Sequence, residues 1–470
     1  MTTIRNGAAA FVAAAFACVA TFANAQAKER PVQLITLDPG HFHAALVQKF
    51  MLPGVSPKVL VFAPEGEDVA QHLLRVESFN SRADNPTHWE QQVFTGADYL
   101  EQAVFATLGG NSHPSASRAA ARASVVVISG NNARKTEYIT AFVNAGANVL
   151  ADKPMVIEPQ DLKQLEADFA TAKEKGVLLY DIMTERFEIT TMLQRALSQQ
   201  AKLFGTLEKG TPDNPSISKI SVHNFSKVVA GAQLKRPQWF FDPAQQGAGI
   251  VDVMTHLVDL VQWEAFPEVT LKPADAKVLN ARRWTTALSL DQFGRVTGAK
   301  EFPAFLNRYV KDGVLQAPAN GEFTYSLKGV HAKVSVTWEF EAPPGAGDTH
   351  FSVMRGTKAS LTIKQGKEQG YKPVLYVERA ANISAADHEK VLRAAVVVVA
   401  KTWPGIDVEA EGDHFVVTVP GKYHNGHEAH FTQVTENFLK YLRAGKLPEW
   451  EVPNMLTKYA TIMQAYEMSR

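Results

Sequence analysis

The chain has one cysteine in 470 residues, Cys18, and it lies inside an N-terminal segment built like a secretory leader. Arg5, the apolar stretch from Ala8 to Phe22 and Ala23-Asn24-Ala25 before Gln26 form the three regions of such a leader (residues 1–25), so the mature chain is expected to start near Gln26. Once the leader is cut no thiol remains, which removes disulfides, a cysteine nucleophile and thiolate metal sites together. Ala15-Phe16-Ala17 before Cys18 lacks the usual leucine of a lipidation site. No twin-arginine pair precedes the apolar stretch, so the simplest route is export of the unfolded chain to the periplasm or medium, with any cofactor acquired afterwards.

A surplus of charge is missing too. Basic and acidic residues number 48 each, with no basic run or tail, so nothing points to nucleic acid or a polyanionic partner. After the leader no apolar run is long enough for a membrane span. With 46% hydrophobic residues the chain can bury a large core, and its length favours two domains, residues 30–187 and 188–470.

What is present begins with an alternation. Val32 to Leu37, Val59 to Ala63, Val125 to Ser129, Asn148 to Leu150 and Val177 to Tyr180 read as short strands. Ala44 to Phe50, Lys135 to Ala145 and Gln160 to Glu174 read as helices between them. This is the pattern of a Rossmann-like, doubly wound parallel sheet. The small-residue segment from Gly109 to Ser117 reads as a surface loop between units. From about Glu188, stretches such as Ala332 to Phe340, Phe351 to Arg355, Ala359 to Ile363 and Phe415 to Val419 suit a large, mainly antiparallel sheet, followed by helices from His427 to Arg470 interrupted at Pro448 and Pro453. The fold class is therefore α/β followed by α+β.

Two segments carry chemistry. Lys153 follows a strand in Gly146-Ala147-Asn148-Val149-Leu150-Ala151-Asp152-Lys153-Pro154. It is either a cation at the ligand crevice of an open α/β sheet or a solvated turn lysine. In the run from Gly247 to Asp259, a helix starting after the glycines places Asp252 and His256 one turn apart on one face. They form either a carboxylate–imidazole pair able to take a proton from an alcohol or an ordinary buried pair.

Together these segments resemble the signature blocks of the glucose-fructose oxidoreductase and inositol dehydrogenase family (Gfo/Idh/MocA). Its A-G-x-x-V-x-x-E-K-P block is matched with Asp152 in place of glutamate, and its D-x-x-x-H-x-x-D block at Asp252, His256 and Asp259. Ser129-Gly130-Asn131-Asn132-Ala133-Arg134-Lys135 is similar to the family's T-P-N-x-x-H loop, keeping Asn132 and placing Lys135 where histidine is usual. The resemblance covers nearly the whole mature chain. It is nearest to the branch with an oxidoreductase C-terminal domain, on Leu37-Asp38-Pro39-Gly40-His41-Phe42-His43 and Gly426-His427-Glu428-Ala429-His430-Phe431.

The resemblance implies that Lys153, Asp252 and His256 are the catalytic group beside a nicotinamide, with Lys153 binding the substrate oxygen, His256 accepting the hydroxyl proton and Asp252 holding His256. It implies NAD in preference to NADP, held by Gly40, His41, Phe42, Glu65, Asn132 and Lys153. The implied substrate is a sugar, glycoside or cyclitol with a secondary hydroxyl, and the implied assembly is a homodimer or tetramer. Of the family's G-x-G-x-x-G only the middle glycine survives, at Gly40, and Asp38 brings a negative charge to the loop. Glu65 is nearest in register to the acidic residue that favours NAD. Trp239 and His427 are candidate substrate contacts, as is Asp259. His41, His43, His424, His427 and His430 do not follow H-E-x-x-H spacing; no metal ligand is assigned, and a pocket role is favoured. Two other functions use the same residues: glycoside cleavage by transient oxidation and elimination with an internally recycled cofactor, and carbohydrate binding without catalysis.

Overall fold

The computed structural model describes residues 31–110, 120–229 and 232–470; the leader and nearly all of the 109–117 loop lie outside the described residues. In its first part the strands are β1 (Gln33–Leu37), β2 (Lys58–Ala63), β3 (Glu90–Thr95), β4 (Ser124–Ile128), β5 (Asn148–Asp152) and β6 (Leu179–Ile182). They form one parallel sheet in the order β3-β2-β1-β4-β5-β6. The central strands are largely apolar runs buried on both faces, as a parallel sheet covered by helices requires. The helices are α1 (His43–Leu46), α2 (Glu67–Ser81), α3 (Tyr99–Thr107), α4 (Lys135–Ala145) and α5 (Leu162–Lys175).

Four of these elements differ from the sequence expectation or escaped it. The polar edge strand β3 and helices α2 and α3 carry no clean apolar period, and the sequence reading left them unassigned. The helix expected over Ala44 to Phe50 is a single turn, α1. Past α1 the chain makes only the tighter bonds from Gln48 N–H to Ala45 O (2.9 Å) and from Lys49 N–H to Leu46 O (3.2 Å), and the carbonyls of Gln48 and Lys49 accept from Trp89 Nε1 (2.8 Å) and Arg82 (2.7 Å).

The second part opens with α6 (Ile189–Ser198) and builds a ten-stranded sheet. Nine strands lie on one path: β7 (Ile217–Ser226), β8 (Ala276–Leu288), β9 (Val314–Leu327), β10 (Val330–Glu341), β11 (Thr349–Arg355), β12 (Ala359–Gln365), β13 (Val374–Arg379), β14 (Asp407–Glu411) and β15 (His414–Thr418). Their order is β8-β9-β10-β7-β11-β12-β13-β15-β14, and a two-residue strand at Val310–Lys311 pairs with β9. Only the β7–β10 pair is parallel; all other pairs are antiparallel. The long helices here are α7 (Met254–Ala265), α8 (Ala385–Val399), α9 (His427–Ala444) and α10 (Glu451–Met468). Pro453 does not interrupt α10 but sits in its first turn, where a missing N–H leaves no bond unmade.

A buried charge network fastens α7 and α10 to the end of β6. Arg186 forms a bidentate pair with Asp259 (2.6 and 2.7 Å) and a second pair with Glu451 (3.0 Å). Lys458 reaches both Asp181 (2.6 Å) and Asp259 (2.8 Å), and its side chain is 0% exposed. Because each charge here is compensated only by its partners, removing one leaves others buried and unpaired. Lys458→Met is expected to lower stability by about 3–5 kcal/mol, read as a drop in the urea midpoint; a loss within the ordinary surface-mutation range would contradict this account.

Candidate active site

The carboxyl ends of β1, β4 and β5 border a crevice, the place where open α/β sheets bind ligands. β5 ends on Asp152, and the next residue, Lys153, precedes Pro154 through a cis peptide bond. Lys153 is no solvated turn residue: Nζ donates to Asp252 Oδ1 at 2.6 Å, and each side chain is 8% exposed. Burial raises the Asp252 carboxyl, but the charge of Lys153 together with the hydrogen bonds from Lys153 and Gln246 outweighs it and holds the pKa below the ordinary carboxylate value.

Asp252 reaches this position through a turn. Gly249 lies directly on β9, where a Cβ would come within 1.7 Å of the Ala319 carbonyl oxygen, and its amide donates to Pro318. The chain then turns through 250–253 and α7 starts at Met254. Asp252 therefore precedes the helix, faces Lys153 and does not hold His256, which was the implied arrangement. His256, in the first turn of α7, is 8% exposed with a buried, unpartnered Nδ1. Burial, then the charge of Lys153, depress its pKa to about 3.

Asp152 gathers a second group. Its Oδ2 faces His43 Nδ1 at 2.9 Å, accepts from Ser129 Oγ at 2.9 Å and lies 3.8 Å from His41 Nδ1. Oδ1 accepts from the Lys153 amide (2.9 Å), and the Asp152 carbonyl from the fully buried Lys135 Nζ (2.7 Å). Burial brings Lys135 down to about 8 and His43 to about 4, the latter against the pull of Asp152.

Lys153, Asp252, His256, His41, Phe42, His43 and His427 line one cleft of about 740 Å³. Its other walls come from distant segments: Glu185, bonded to His427 Nδ1 (3.1 Å), the indole of Trp338, and His223 and Lys227, both paired with Asp348 (3.2 and 3.1 Å). Arg236, buried against the rings of Phe240 and Trp338, closes one side. None of Glu185, His223, Arg236 or Asp348 carried a local sequence signal for this cleft, because each depends on pairing in the large sheet or on a chain crossing.

The remaining candidates lie elsewhere. Asp259 belongs to the Arg186–Lys458 network and lines neither large cavity. Glu65 is exposed and also lines neither; Glu67 and Asp68 instead line a neighbouring cavity of about 470 Å³ beside Gly40. Trp239 lines that cavity and donates to Asp68 Oδ2 at 2.8 Å. Asn132 is buried, with its Nδ2 on the Gln246 carbonyl (2.7 Å).

The loop after β1 can be tested directly for a dinucleotide. A pyrophosphate needs free amides at a helix start and room above the glycine. Here the Gly40 amide donates to Asp38 O (2.8 Å), that of His41 to Ser129 O (3.2 Å), that of His43 to His41 Nδ1 (3.4 Å) and that of Ala44 to His41 O (3.1 Å). Above Gly40, a Cβ would meet Asp68 at 2.7 Å and Trp239 at 2.9 Å. Asp38, at a left-handed φ of 44°, is bonded to Tyr138 and raised by burial. In this arrangement the residues do not fit a nicotinamide dinucleotide.

A doubly wound sheet, a wide mixed sheet and a lysine–aspartate pair beside a histidine give the chain the fold of Gfo/Idh/MocA-type oxidoreductases. More particularly, residues 193–470 match the family described as "putative oxidoreductase C terminal domain", and the chain belongs to that family. The structure of a "putative oxidoreductase" from Parabacteroides merdae is similar at 51% identity and a TM-score of 0.87, covering 94% of this chain and 98% of that one. The same fold occurs in a 3-ketoreductase from Actinomadura kijaniata solved with NADP and TDP-benzene, at 15% identity, TM-score 0.55 and 94% and 98% coverage. It also occurs in a levoglucosan dehydrogenase solved with NADH and levoglucosan, at 14% identity, TM-score 0.55 and 93% and 98% coverage. No functionally curated protein matches the chain in sequence. Among the described residues no helix is long and apolar enough to cross a membrane.

The buried imidazoles set a pH dependence. His43, His256, His350, His430 and His72 have pKa values of about 4, 3, 4, 4 and 3, all pressed below the ordinary 6.5 first by burial. Between the ordinary value and these, the unfolded chain binds protons that the folded one does not, so stability falls as pH drops below about 6.5. Urea midpoints are expected to decline steadily from about pH 7 to about pH 5 with proton uptake on unfolding; a flat profile would show that these rings are not buried neutral.

Proposed function

We propose that the protein is an exported, carbohydrate-directed oxidoreductase that acts at a carbon bearing a secondary hydroxyl or the corresponding ketone. The observation that carries this is the Lys153 ammonium, held buried by Asp252 at a polar cleft large enough for a sugar. Lys153 binds the substrate oxygen and stabilises negative charge developing on it. Neutral His256 receives or returns the hydroxyl proton. His223, Asn224 and Asp348, next to Trp338 on the cleft wall, offer hydrogen-bonding partners suited to a polyol.

A nicotinamide is the hydrogen carrier that family resemblance suggests, and the two distant structures above were solved with NADP and NADH. The loop from Asp38 to His43 does not fit it as folded, so no step is assigned to that cofactor. A second reading, elimination at the carbon next to a sugar ketone, is favoured by one observation: the cleft holds His41, His43, His256, His427 and Glu185, more proton-transfer groups than hydroxyl oxidation alone uses.

The test is to incubate purified protein in deuterated water with sugars and glycosides plus NAD or NADP as hydride acceptor, and with their keto forms with and without NADH or NADPH as hydride donor, and to analyse products by mass spectrometry and NMR, with dinucleotide binding titrated by calorimetry in parallel. Expected are a keto product, carbon-bound deuterium beside the ketone, or a cleaved glycoside, each reduced at least about 100-fold in Lys153→Ala with unchanged folding. No conversion of any member, or full activity in Lys153→Ala, would sink the proposal. Tight dinucleotide binding would show that the loop after β1 rearranges.

The export part rests on the leader composition. Intact-mass analysis of protein recovered from the periplasm or medium is expected to place the N-terminus near Gln26; retention of residues 1–25 on a cytoplasmic protein would refute it.

A further inference from the structure

We propose that His41, His43 and Asp152 hold one divalent first-row transition-metal ion on the wall of the cleft, next to Lys153. The three side chains place one ligand atom each within 4.8 Å of one another. Ligand atoms around an ion bonded at about 2.0–2.2 Å sit roughly 3–3.5 Å apart. The measured separations, 2.9 Å from Asp152 Oδ2 to His43 Nδ1 and 3.8 Å to His41 Nδ1, bracket that span.

His41 Nδ1 takes one long contact from the His43 amide (3.4 Å), which marks it as unprotonated and which an ion would have to displace, and it lies 3.8 Å from a carboxylate oxygen, too far for a hydrogen bond. An acceptor opposite an acceptor is repulsive unless a cation lies between them. His43 needs only to shift its proton from Nδ1 to Nε2 to become the second imidazole ligand. Two imidazoles and one carboxylate with open positions are a set that selects ions such as Fe²⁺, Zn²⁺ or Co²⁺.

The surroundings are those of a built site. Ser129 Oγ and the Lys153 amide fix the carboxylate, the kind of outer support that orients metal ligands. Phe42 stacks on His41 with ring centroids 4.6 Å apart, and Phe431 packs on His43 at 4.5 Å. Two ammonium groups lie close by, but Lys153 is paired with Asp252 and Lys135 points at a backbone carbonyl. His256 Nδ1, buried and unpartnered on the same cleft, is a separate sign of a missing ligand. The ion site stands without the carbohydrate reading. Its placement beside Lys153, for polarising the same substrate oxygen, rests on that reading.

The test uses full-length mature protein stripped with a chelator. Co²⁺ is titrated by calorimetry and visible absorption, and Zn²⁺ content is read by elemental mass spectrometry, both without substrate. Expected are one ion per chain, Co²⁺ d–d bands that Zn²⁺ abolishes, and affinity lowered at least about 10-fold in His41→Ala and in His43→Ala. His43→Gln, which keeps a hydrogen-bond donor for Asp152, guards against loss of the fold, checked by thermal melting. Absence of uptake by the folded wild type, or equal affinity in all three variants, would overturn the site. Ion binding without sugar conversion would leave the site standing and remove only its catalytic placement.

Discussion

The structure around the crevice turns on one buried carboxylate. Asp152 is 3% exposed at the end of β5, and such a group is tolerated only when its oxygens are engaged. It draws partners from three strand ends: Ser129 after β4, the Lys153 amide after β5, and His43 from the loop after β1. Three departures from the family pattern meet here: aspartate for glutamate at residue 152, lysine for histidine at residue 135, and histidine for the last glycine of the loop at residue 43. Lys135 donates to the carbonyl of the same aspartate that His43 touches. They are one coupled change in space, although they lie far apart in sequence.

That inward fold has a consequence for the crevice. Pulling His43 onto Asp152 carries the His41 amide onto Ser129 O and spends the donors that a phosphate would need. The side chains of His41 and Phe42, with Arg236 and Phe240 opposite, then line both large cavities and divide the crevice between them. On one side lies the polar cleft with Lys153. On the other, Trp239 and Asp68 cover Gly40. A carboxylate at Asp68, close enough to Asp38 for each to disfavour ionisation of the other, is a poor neighbour for a pyrophosphate.

The parallel core was legible because β1, β4 and β5 are short, largely apolar runs separated by helical spacing, and burial on both faces demands that composition. β3 was not, since an edge strand reading Glu-Gln-Gln-Val-Phe-Thr shows neither alternation nor a continuous apolar run. Residue type and position marked Lys153, Asp252 and His256, the family resemblance grouped them, and the cleft contains all three. Their pairing was not readable, because a helix start two residues after Asp252 turns its carboxylate toward β5 and away from His256. Asp259 shows the limit from the other side: its place in the motif suggested a ligand contact, whereas Arg186 and Lys458, from distant segments, claim both its oxygens. Glu185, Arg236 and Asp348 reach the site through long-range packing that no local window contains.

The electrostatics of the cleft divide the work of proton transfer. Lys153 has a fixed counter-ion in Asp252, while the imidazoles around it are kept neutral by burial. An imidazole held near a pKa of 3 is a weak base, so it cannot take a proton from a free hydroxyl unaided. After burial, the charge of Lys153 is the largest influence holding it there. In the proposed reaction, a substrate oxygen that becomes negative against Lys153 would cancel that charge locally, so the basicity of His256 would rise as the alkoxide forms. Stabilising the oxygen and strengthening the base would then be a single event, coupled through one ammonium group.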